Sequence, residues 1–469
     1  MTIVRRVRTV AAIAAGAAAV FVADSLGQCP PAAGWRTDGT GRYADAQPPL
    51  TWSPTANVVW KTPMPGRSSA TPVIADGRIF VCSEPTTLIC VLLSDGKILW
   101  QRTNSYVDIL LPEEIDKARQ EEAKAHEIRK QLTAVQNKHS QAANKLRQTP
   151  ADEALKKEAE DLKAQVASAR EALKPLEKWL PPPLHDVTGY STPTPVCDGG
   201  NVYALFGTGT AVCYDLQGNR KWARTVERPN HQWGHSASPV LVGDKLIVQI
   251  QGIHALDIQT GNTVWQGKPQ AKMTAGSVFG TPLYTRPGGV DIVLTAGGDA
   301  LRVSDGKVLA SGLGLDYGYC SPIIHDNVVY FIDNGRKAVR LTEPAGDKLT
   351  PEVVWKAEPD KDIHYCSPVC HDGLLYTVNY QAVLSVIDAS DGALVYTRKL
   401  GVKGDAYASA ALAGGNIHVS VGATTFVIQP GREYKQLAEN KLEDFRGSPV
   451  FLGKRMYIRG LNNLYCIGE

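Results

Sequence analysis

Short stretches of alternating apolar and polar residues, separated by turn residues, follow one another along most of the chain. The clearest unit predicts four strands, at 238–242, 245–249, 253–258 and 263–266. Two of its turns contain Gly243 and Gly261, and glycine supplies the positive φ that tight turns often need. Turn residues at every roughly 8 to 12 positions are typical of all-β proteins, so we predict a unit of four short strands.

One phrase of apolar, acidic, glycine and aromatic positions recurs at the end of such units. Its best copy is Ala255, Asp257, Thr260, Gly261 and Trp265. Relatives of this phrase occur at Cys90, Asp95, Gly96 and Trp100, at Cys213, Asp215, Gly218 and Trp222, and at Val386, Asp388, Asp391, Gly392 and Tyr396. A large ring can wedge between neighbouring sheets. We therefore predict that six aromatic residues dock one sheet on the next: Trp60, Trp100, Trp222, Trp265, Trp355 and Tyr396.

A second phrase, a small hydroxyl residue followed by proline and an apolar residue, opens the units. It begins at Thr71, Thr194, Ser238, Thr281, Ser321, Ser367 and Ser448. We place a degenerate copy at Ala410-Ala411-Leu412. From the second copy onward the spacing is about 40 residues, and four strands in such a period indicate a propeller blade rather than a helical solenoid. Eight copies predict an all-β, eight-bladed β-propeller with antiparallel blades.

The two ends of the repeat region are complementary. The last repeat stops at Cys466-Ile467-Gly468-Glu469, which corresponds to a third strand, so it lacks a fourth. A strand with the features of a fourth one lies at 57–61. We predict that this N-terminal strand completes the last blade and closes the ring, because closure removes exposed sheet edges.

Residues 105–185 interrupt the repeat with two helical patterns. Their apolar positions step alternately by four and three residues, the heptad of a coiled coil. The first pattern is Ile128, Leu132, Val135, His139, Ala142 and Leu146, and the second is Leu155, Ala159, Leu162, Val166, Ala169, Leu173 and Leu176. We expect Pro112 to open the first helix, Thr149 to cap the second and 181–183 to end it. The antiparallel hairpin is either a solvated spacer or an arm for docking a partner or for self-association.

The N-terminus has the features of a secretory signal peptide. Three arginines precede an apolar run at 10–23, and Ser25 and Gly27 provide small residues before a cut at Gln28. An uncut anchor and lipidation at Cys29 are the alternatives. We predict a signal peptide at 1–27, the closing strand and first blade at 28–104, the helical hairpin at 105–185 and the remaining blades at 186–469. The mature chain, with no transmembrane span, is then periplasmic or extracellular.

The net charge of +3 and the charged fraction of 21% give no argument for nucleic-acid binding. Cys90, Cys213 and Cys466 share one repeat position, and Cys320 and Cys366 share another, which indicates small buried residues. Cys82 with Cys90 is the pair within hairpin range. The segment from Cys366 to His371 resembles a haem-attachment motif with one extra residue. The neighbouring repeat has Ile324 where this one has Cys370, so we interpret the segment as a strand and predict no haem.

The repeated phrase resembles that of the PQQ-like, or quinoprotein-like, β-propeller family. The opening Trp35-Arg36, Gly41, Trp52, Trp60-Lys61, Pro65-Gly66 and Ser68 is similar to its secreted bacterial members. The resemblance covers roughly 50–104 and 186–469. It implies the propeller fold, but the family includes both dehydrogenases and non-catalytic scaffolds, among them a propeller of outer-membrane protein assembly.

The segments before the first strand of each blade are expected to face the mouth of the channel, which we call the funnel. They carry nine aromatic, histidine or arginine residues: His231, Trp233, His235, Tyr317, Tyr319, His364, Tyr365, Tyr407 and Arg446. These side chains either bind a ligand or peptide or pack and solvate the rim.

The resemblance also implies what an enzyme of this family would need. Its dehydrogenases add an adjacent Cys-Cys pair, a calcium cage and an aspartate base, and this sequence shows no adjacent cysteine pair. We therefore expect no catalytic, cofactor or metal residues and an exported scaffold that binds an envelope protein or peptide. The alternative is a PQQ-dependent oxidoreductase, with calcium, that acts on alcohols or sugars.

Overall fold

The computed structural model describes residues 33–105, 109, 112–182, 184–273, 278–357 and 363–468. The predicted signal peptide at 1–27 and Cys29 lie outside the described residues. None of the helices in the described part is long and apolar enough to cross a membrane.

The repeats form eight sheets, which we call blades 1 to 8 in chain order. Two strands precede them, β1 (Arg42–Tyr43) and β2 (Val58–Pro63). Blade 1 consists of β3 (Val73–Ala75), β4 (Arg78–Ser83), β5 (Thr87–Leu92) and β6 (Ile98–Thr103), and blade 2 of β7 (Val196–Cys197), β8 (Asn201–Leu205), β9 (Thr210–Asp215) and β10 (Arg220–Thr225). Blade 3 consists of β11 (Val240–Val242), β12 (Lys245–Gln249), β13 (Ile253–Asp257) and β14 (Thr263–Gly267), and blade 4 of β15 (Leu283–Thr285), β16 (Ile292–Leu294), β17 (Ala300–Arg302) and β18 (Val308–Ala310).

Blades 5 to 8 repeat the arrangement. Blade 5 consists of β19 (Ile323–His325), β20 (Val328–Ile332), β21 (Arg336–Arg340) and β22 (Glu352–Ala357), and blade 6 of β23 (Val369–His371), β24 (Leu374–Val378), β25 (Val383–Asp388) and β26 (Leu394–Lys399). Blade 7 includes β27 (Ala411–Ala413), β28 (Asn416–Val421), β29 (Thr424–Ile428) and β30 (Gln436–Lys441), and blade 8 includes β31 (Val450–Leu452), β32 (Arg455–Arg459) and β33 (Asn463–Ile467). The predicted four-stranded antiparallel repeat is confirmed.

Strands from the N-terminal segment join the last two blades. β2 pairs antiparallel with β33, with Trp60 opposite Cys466, so blade 8 takes its fourth strand from the start of the chain. This is the pairing predicted for residues 57–61. β1 pairs parallel with β27, so blade 7 has a fifth strand that the repeat pattern does not predict.

A cycle of hydrogen bonds joins the first strands of the blades. It is formed by the hydroxyl residues that open the repeats, which we call the hydroxyl ring: Thr71, Thr194, Ser238, Thr281, Ser321, Ser367, Ser409 and Ser448. Each backbone N–H donates to the side-chain oxygen of the corresponding residue in the next blade. Ser448 donates to Thr71 over 3.0 Å, so the eighth bond returns to blade 1. All eight residues are buried.

The degenerate repeat copy differs from the prediction by one residue. We expected it at 410–412, but Ser409 occupies the hydroxyl ring and Ala410 takes the place of the proline. β27 begins at Ala411 as β23 begins at Val369, which fixes the equivalence. The proline is the marker that aligns the other copies, and without it an alanine-rich stretch allows either register.

The aromatic residue that ends a repeat packs on the glycine of the next blade. Trp265 Nε1 donates to the Val303 carbonyl over 2.8 Å, and a Cβ on Gly306 would lie 2.5 Å from the Trp265 ring. Four further pairs share this geometry: Trp60 with Gly96, Trp100 with Gly218, Trp222 with Gly261, and Trp355 with Gly392. The glycine is therefore needed for its positive φ and for lack of a side chain.

Tyr396 occupies the same repeat position without the hydrogen bond. Its ring contacts Tyr434 at 6.4 Å between centroids, and its buried hydroxyl has no hydrogen-bond partner among the described residues. A tyrosine therefore fills the space of the docking tryptophan but leaves its polar atom unsatisfied.

Between blades 1 and 2 the chain forms a helical hairpin, which we call the arm. It consists of α1 (Pro112–Gln148), α2 (Glu153–Leu173) and a 3₁₀ helix (Lys174–Trp179). At 1.5 Å per residue α1 is about 55 Å long. An apolar cluster lies in the half near the propeller: Ala125, Leu132, Leu173 and Leu180, with Ile128, Val166, Ala169 and Leu176 around them.

Two helix boundaries differ from the sequence prediction. The cap of α2 is Asp152, whose carboxylate accepts the N–H groups of Ala154 and Leu155, whereas Thr149 donates its hydroxyl to the Lys145 carbonyl. The second helix also ends at Leu173, before residues 181–183, because Pro175 lacks the N–H that would continue the α-helix.

We predict that Ser321→Ala lowers the free energy of unfolding by about 1–3 kcal/mol, because the buried N–H of Thr281 then loses its acceptor. Chemical denaturation measures the change. The control is Ser304→Ala at an exposed turn, which should stay within about 0.5 kcal/mol of the wild type. Equal effects of the two substitutions would show that the hydroxyl ring does not contribute to stability.

We predict that Trp265→Ala lowers the free energy of unfolding by about 3–5 kcal/mol, because it leaves a cavity between blades 3 and 4. Val264 on the same strand is 50% exposed, so Val264→Ala should cost less than about 1 kcal/mol. Denaturation of both variants under one set of conditions tests this difference. Similar losses would contradict a docking role for the ring.

Candidate functional site

The residue two positions before each member of the hydroxyl ring faces the funnel mouth. These residues are Ser69, Thr192, Ser236, Phe279, Tyr319, Tyr365, Tyr407 and Arg446. They line one cavity of about 290 Å³ together with all eight members of the hydroxyl ring. Small hydroxyl residues occupy the position in blades 1 to 3, aromatic residues in blades 4 to 7 and arginine in blade 8. The cavity wall is therefore asymmetric.

The aromatic side of the wall is continuous, and we call it the aromatic arc: Phe279, Tyr319, Tyr365 and Tyr407. Successive ring centroids lie 5.7, 5.6 and 5.4 Å apart, and Tyr365 and Tyr407 are stacked within 14°. Arg446 extends the arc, with its guanidinium carbon 5.6 Å from the Tyr407 centroid. Tyr365 is 36% exposed, so the arc offers a face to an occupant.

The three tyrosines of the arc carry protonated hydroxyl groups. A phenol is protonated at neutral pH, and burial raises the pKa of Tyr319 and of Tyr365 further. Burial is also the main cause that raises the pKa of Tyr407, and the nearby Asp405 adds to it. Tyr407 donates its hydroxyl to Asp405 over 3.0 Å, which holds its ring.

The N-terminal segment crosses the opposite end of the channel. Ala33 exchanges backbone hydrogen bonds with Cys197 of blade 2, and Arg36 donates to the carbonyls of Pro368 and Ala410 over 3.0 and 2.5 Å. Those carbonyls belong to blades 6 and 7, across the ring, and lie beyond the hydroxyl ring as seen from the funnel. Trp35, between these contacts, lines the cavity. The segment therefore gives the cavity a floor.

Arg36 fastens this segment. Its side chain is 1% exposed, and burial lowers the pKa of its guanidinium to about 10, so it stays charged at neutral pH. Gly41 packs on the guanidinium so closely that a Cβ there would overlap it. A buried charge is stable when carbonyl oxygens satisfy it, and here they come from two blades.

The base of the arm completes the funnel rim. His185 and Val187, just after the arm, line the cavity, and His185 contacts Trp233 with 4.5 Å between centroids. Arg446 Nη1 donates to the Val187 carbonyl over 2.7 Å. Arg228 donates to the carbonyls of Leu180 and Pro181, which fixes the arm to the propeller.

The structure separates the nine funnel residues of the prediction into two groups. Five line the cavity: Trp233, Tyr319, Tyr365, Tyr407 and Arg446. The other four, His231, Tyr317, His235 and His364, do not belong to its described lining. His231 and Tyr317 pack on the arc, against Phe279 and Tyr319.

The histidines of the second group are part of the wall. His235 is buried with its Nε2 3.0 Å from the Ala237 carbonyl, and burial lowers its pKa to about 4. His364 Nδ1 lies 2.7 Å from the Asp333 carbonyl. Phe279, His185 and Trp35 were missed. The repeat alignment could have found Phe279, whereas the other two lie outside any repeat.

A buried carboxyl group lies behind the arc. Asp333 follows β20 and is 3% exposed; its Oδ2 accepts the Tyr319 N–H over 3.3 Å. Its Oδ1 has no hydrogen-bond partner among the described residues. Burial raises the pKa of Asp333 to about 7, against the opposing effect of the Tyr319 and Gly318 N–H groups.

The cysteines and the segment resembling a haem motif are parts of strands. All eight described cysteines are free and buried, including Cys82 and Cys90. Burial raises the pKa of Cys366 to about 12 and of Cys370 to about 11, which keeps both thiols protonated. Cys370 and His371 lie in β23, as Ile324 and His325 lie in β19.

The cavity does not fit a calcium ion. Ca²⁺ takes six or more oxygen ligands, among them carboxylates, and the described lining includes no Asp or Glu side chain. Across the described residues, no group of three or more His, Cys, Asp and Glu side chains could hold a metal ion.

We predict that Asp333 contributes stability that is present at about pH 4 and is lost as the pH rises to about 7, whereas buried His235, with its lowered pKa, acts in the opposite direction. The folded protein keeps a proton on Asp333 where the unfolded chain has lost it, since its folded pKa is the higher one. Asp333→Asn should remove this contribution, so that the free energy of unfolding at pH 8 relative to pH 5 is higher in the variant than in the wild type, as measured by urea unfolding at both pH values. Asp45→Asn at an exposed position is the control. An unchanged pH profile in Asp333→Asn would contradict the assignment.

Comparison with known proteins supports this architecture. The family model described as outer membrane protein assembly factor BamB matches residues 45–173 and 183–267, somewhat less than half of the chain. A search of curated protein sequences found no match. The crystal structure of BamB from Moraxella catarrhalis is similar with a TM-score of 0.53 and 12% identity, over 88% of this chain and 99% of that one.

Two quinoprotein enzymes are similar to the same degree. A europium-containing methanol dehydrogenase matches with a TM-score of 0.54 and 13% identity, over 93% of this chain and 98% of that one. The quinohemoprotein alcohol dehydrogenase from Comamonas testosteroni matches with a TM-score of 0.52 and 12% identity, over 93% of this chain and 80% of that one. At such identities the likeness concerns the fold. The chain thus has a β-propeller fold and resembles the PQQ-like propellers, BamB among them.

Proposed function

We propose that the chain is an exported, non-catalytic scaffold of the cell envelope, in which a closed eight-bladed propeller and its arm hold a partner protein. The observation that carries the proposal is the continuity of the funnel rim with the base of the arm. Arg446 of blade 8 hydrogen-bonds Val187 at the end of the arm, and both residues line the cavity. A partner bound along the arm would therefore reach the funnel.

The chemistry of the two surfaces is suited to a protein partner. The arc exposes aromatic faces, which are enriched at the centres of protein interfaces. The arm projects a helix of about 55 Å with charged outer positions. We propose that the arm is an antiparallel coiled coil and that it docks the partner, although the same surface could pair two copies of the chain.

Two observations support the proposed cellular location. The predicted signal peptide at 1–27 would export the chain, and the matching family model is described as an outer membrane protein assembly factor. We therefore place the protein in the periplasm or outside the cell and propose a role in outer-membrane protein assembly.

The alternative is a PQQ-dependent oxidoreductase acting on alcohols or sugars. Its support is the likeness to the methanol and alcohol dehydrogenases, which is as close as the likeness to BamB. Purified protein supplied with PQQ and calcium and assayed for alcohol or sugar oxidation with a dye acceptor distinguishes the two. Turnover would overturn the non-catalytic assignment.

We predict that shortening the arm weakens partner capture. A variant that replaces residues 137–164 by a short glycine-containing turn keeps the apolar cluster near the propeller intact. If arm and funnel engage one partner, loss of one contact should lower its recovery from envelope extract by about tenfold or more. Quantitative affinity capture with full chain and shortened variant measures this.

Two further variants complete the experiment. Tyr365→Ala in the funnel should weaken capture of the same partner, whereas Arg398→Gln, which removes an exposed guanidinium stacked on Tyr434 outside the funnel, should not. If the shortened variant and Arg398→Gln recover as much partner as the full chain does, the arm is a spacer and the proposed scaffold role is wrong.

A further inference from the structure

The cavity is closed at one end, which limits what can occupy it. Trp35 lines it at the end opposite the funnel, on a segment that is fixed to blades 2, 6 and 7. A polypeptide can therefore not pass through the channel. An occupant that enters from the funnel must be a small molecule, a side chain or the end of a chain.

The lining offers hydrogen-bond donors and positive charge. Each oxygen of the hydroxyl ring accepts a backbone N–H from the neighbouring blade, so its own hydrogen remains to be donated. Arg446 adds a guanidinium at the rim. The described lining contains no carboxylate. This combination favours an anionic group and disfavours an ammonium group such as the amino end of a chain.

The aromatic arc defines the second feature of the occupant. Its four rings lie along one side of the cavity, and the equivalent positions on the opposite side are the small residues Ser69, Thr192 and Ser236, with His185 and Trp233 at the rim. A flat or large apolar side chain can stack on the arc while the small residues leave room for it.

We propose that the funnel binds the free carboxyl end of a partner polypeptide whose last residue is aromatic or large and apolar. The terminal carboxylate meets Arg446 and the hydroxyl donors, and the last side chain packs on the aromatic arc. This inference rests on the proposed scaffold function, because it identifies the part of the partner that enters the funnel. The arm binds the remainder of that partner outside the cavity.

Isothermal titration calorimetry with the full chain tests the proposal. The probe is an acetylated peptide of sequence Gly-Ser-Gly-Ser-Leu-Phe with a free carboxyl end, compared with the same peptide as its carboxy-terminal amide. Removal of one charge-assisted interaction should weaken binding by about tenfold or more. The free acid is therefore expected to bind and the amide to bind at least that much more weakly.

Variants separate the two contributions. Arg446→Gln should weaken binding of the acid to the level of the amide, and Arg446→Lys should retain part of the difference, because charge persists without the planar fork. Tyr365→Ala should weaken acid and amide alike. Arg398→Gln is the matched control, since it removes an arginine stacked on a tyrosine outside the funnel. Thermal melts of all variants verify that they fold.

The remaining outcomes overturn the proposal. Equal binding of acid and amide, or no measurable binding of either, excludes recognition of a carboxyl end. Binding of 3-phenylpropanoate or of PQQ as tightly as the acid peptide would assign the cavity to small aromatic acids. If the peptide fails while capture of the envelope partner still depends on the arm, the scaffold function stands without this inference. If the peptide binds but capture is independent of the arm, the scaffold function fails by itself.

Discussion

The hydrogen-bonded contact between neighbouring first strands is the constraint on which the rest of the structure depends. Each blade donates one backbone N–H to a hydroxyl oxygen of the next, and the eighth bond returns to the first blade. Such a cycle closes only if all blades meet at nearly the same angle and distance. The outer Trp–Gly pairs maintain that spacing at the other edge of the sheets, where Trp265 occupies the space that Gly306 leaves.

Closure at the inner radius also determines the site. The hydroxyl ring fixes where each first strand begins, so the side chain two positions earlier is directed to the funnel in every blade. Those positions take no part in the ring, and serine or threonine serves there in three blades. The four aromatic residues of blades 4 to 7 are therefore not required by the fold. Their stacking with one another forms a surface that the propeller itself does not use.

Periodic features of the fold could be predicted from the sequence, since they recur and each copy supports the others. The four strands of a blade, the pairing of residues 57–61 with the last repeat and the helical hairpin all follow from local patterns. Prediction failed where a marker was single or absent. No proline follows Ser409, so the predicted repeat copy was one residue away from the observed one. Thr149 and Asp152 are both good capping residues within one short turn, so the sequence did not distinguish them, and Asp152 is the cap of α2.

The candidate site was predictable only in part for a related reason. Five of the nine proposed residues line the cavity, and four of these five share the repeat position, but the same segments also place His235 and His364 in the wall. Side-chain direction in a loop depends on contacts such as that of His364 with Asp333, which no spacing encodes. The floor formed by Trp35 depends on bonds from Arg36 to residues more than 300 positions away.

The floor closes one end of the channel, and the rim at the other end is the side from which an occupant can enter. Burying the charged Arg36 beneath the hydroxyl ring is costly unless carbonyl oxygens satisfy it, and the two that do so belong to neighbouring blades. Arg36 therefore joins blades 6 and 7 and holds Trp35 at the floor, and access remains on the side where the arm emerges. Because the connection from an outer strand to the next inner strand always lies on the funnel side, an insertion there cannot project from the sealed face. Arm and funnel are thus placed together by topology, and a partner that uses one surface meets the other.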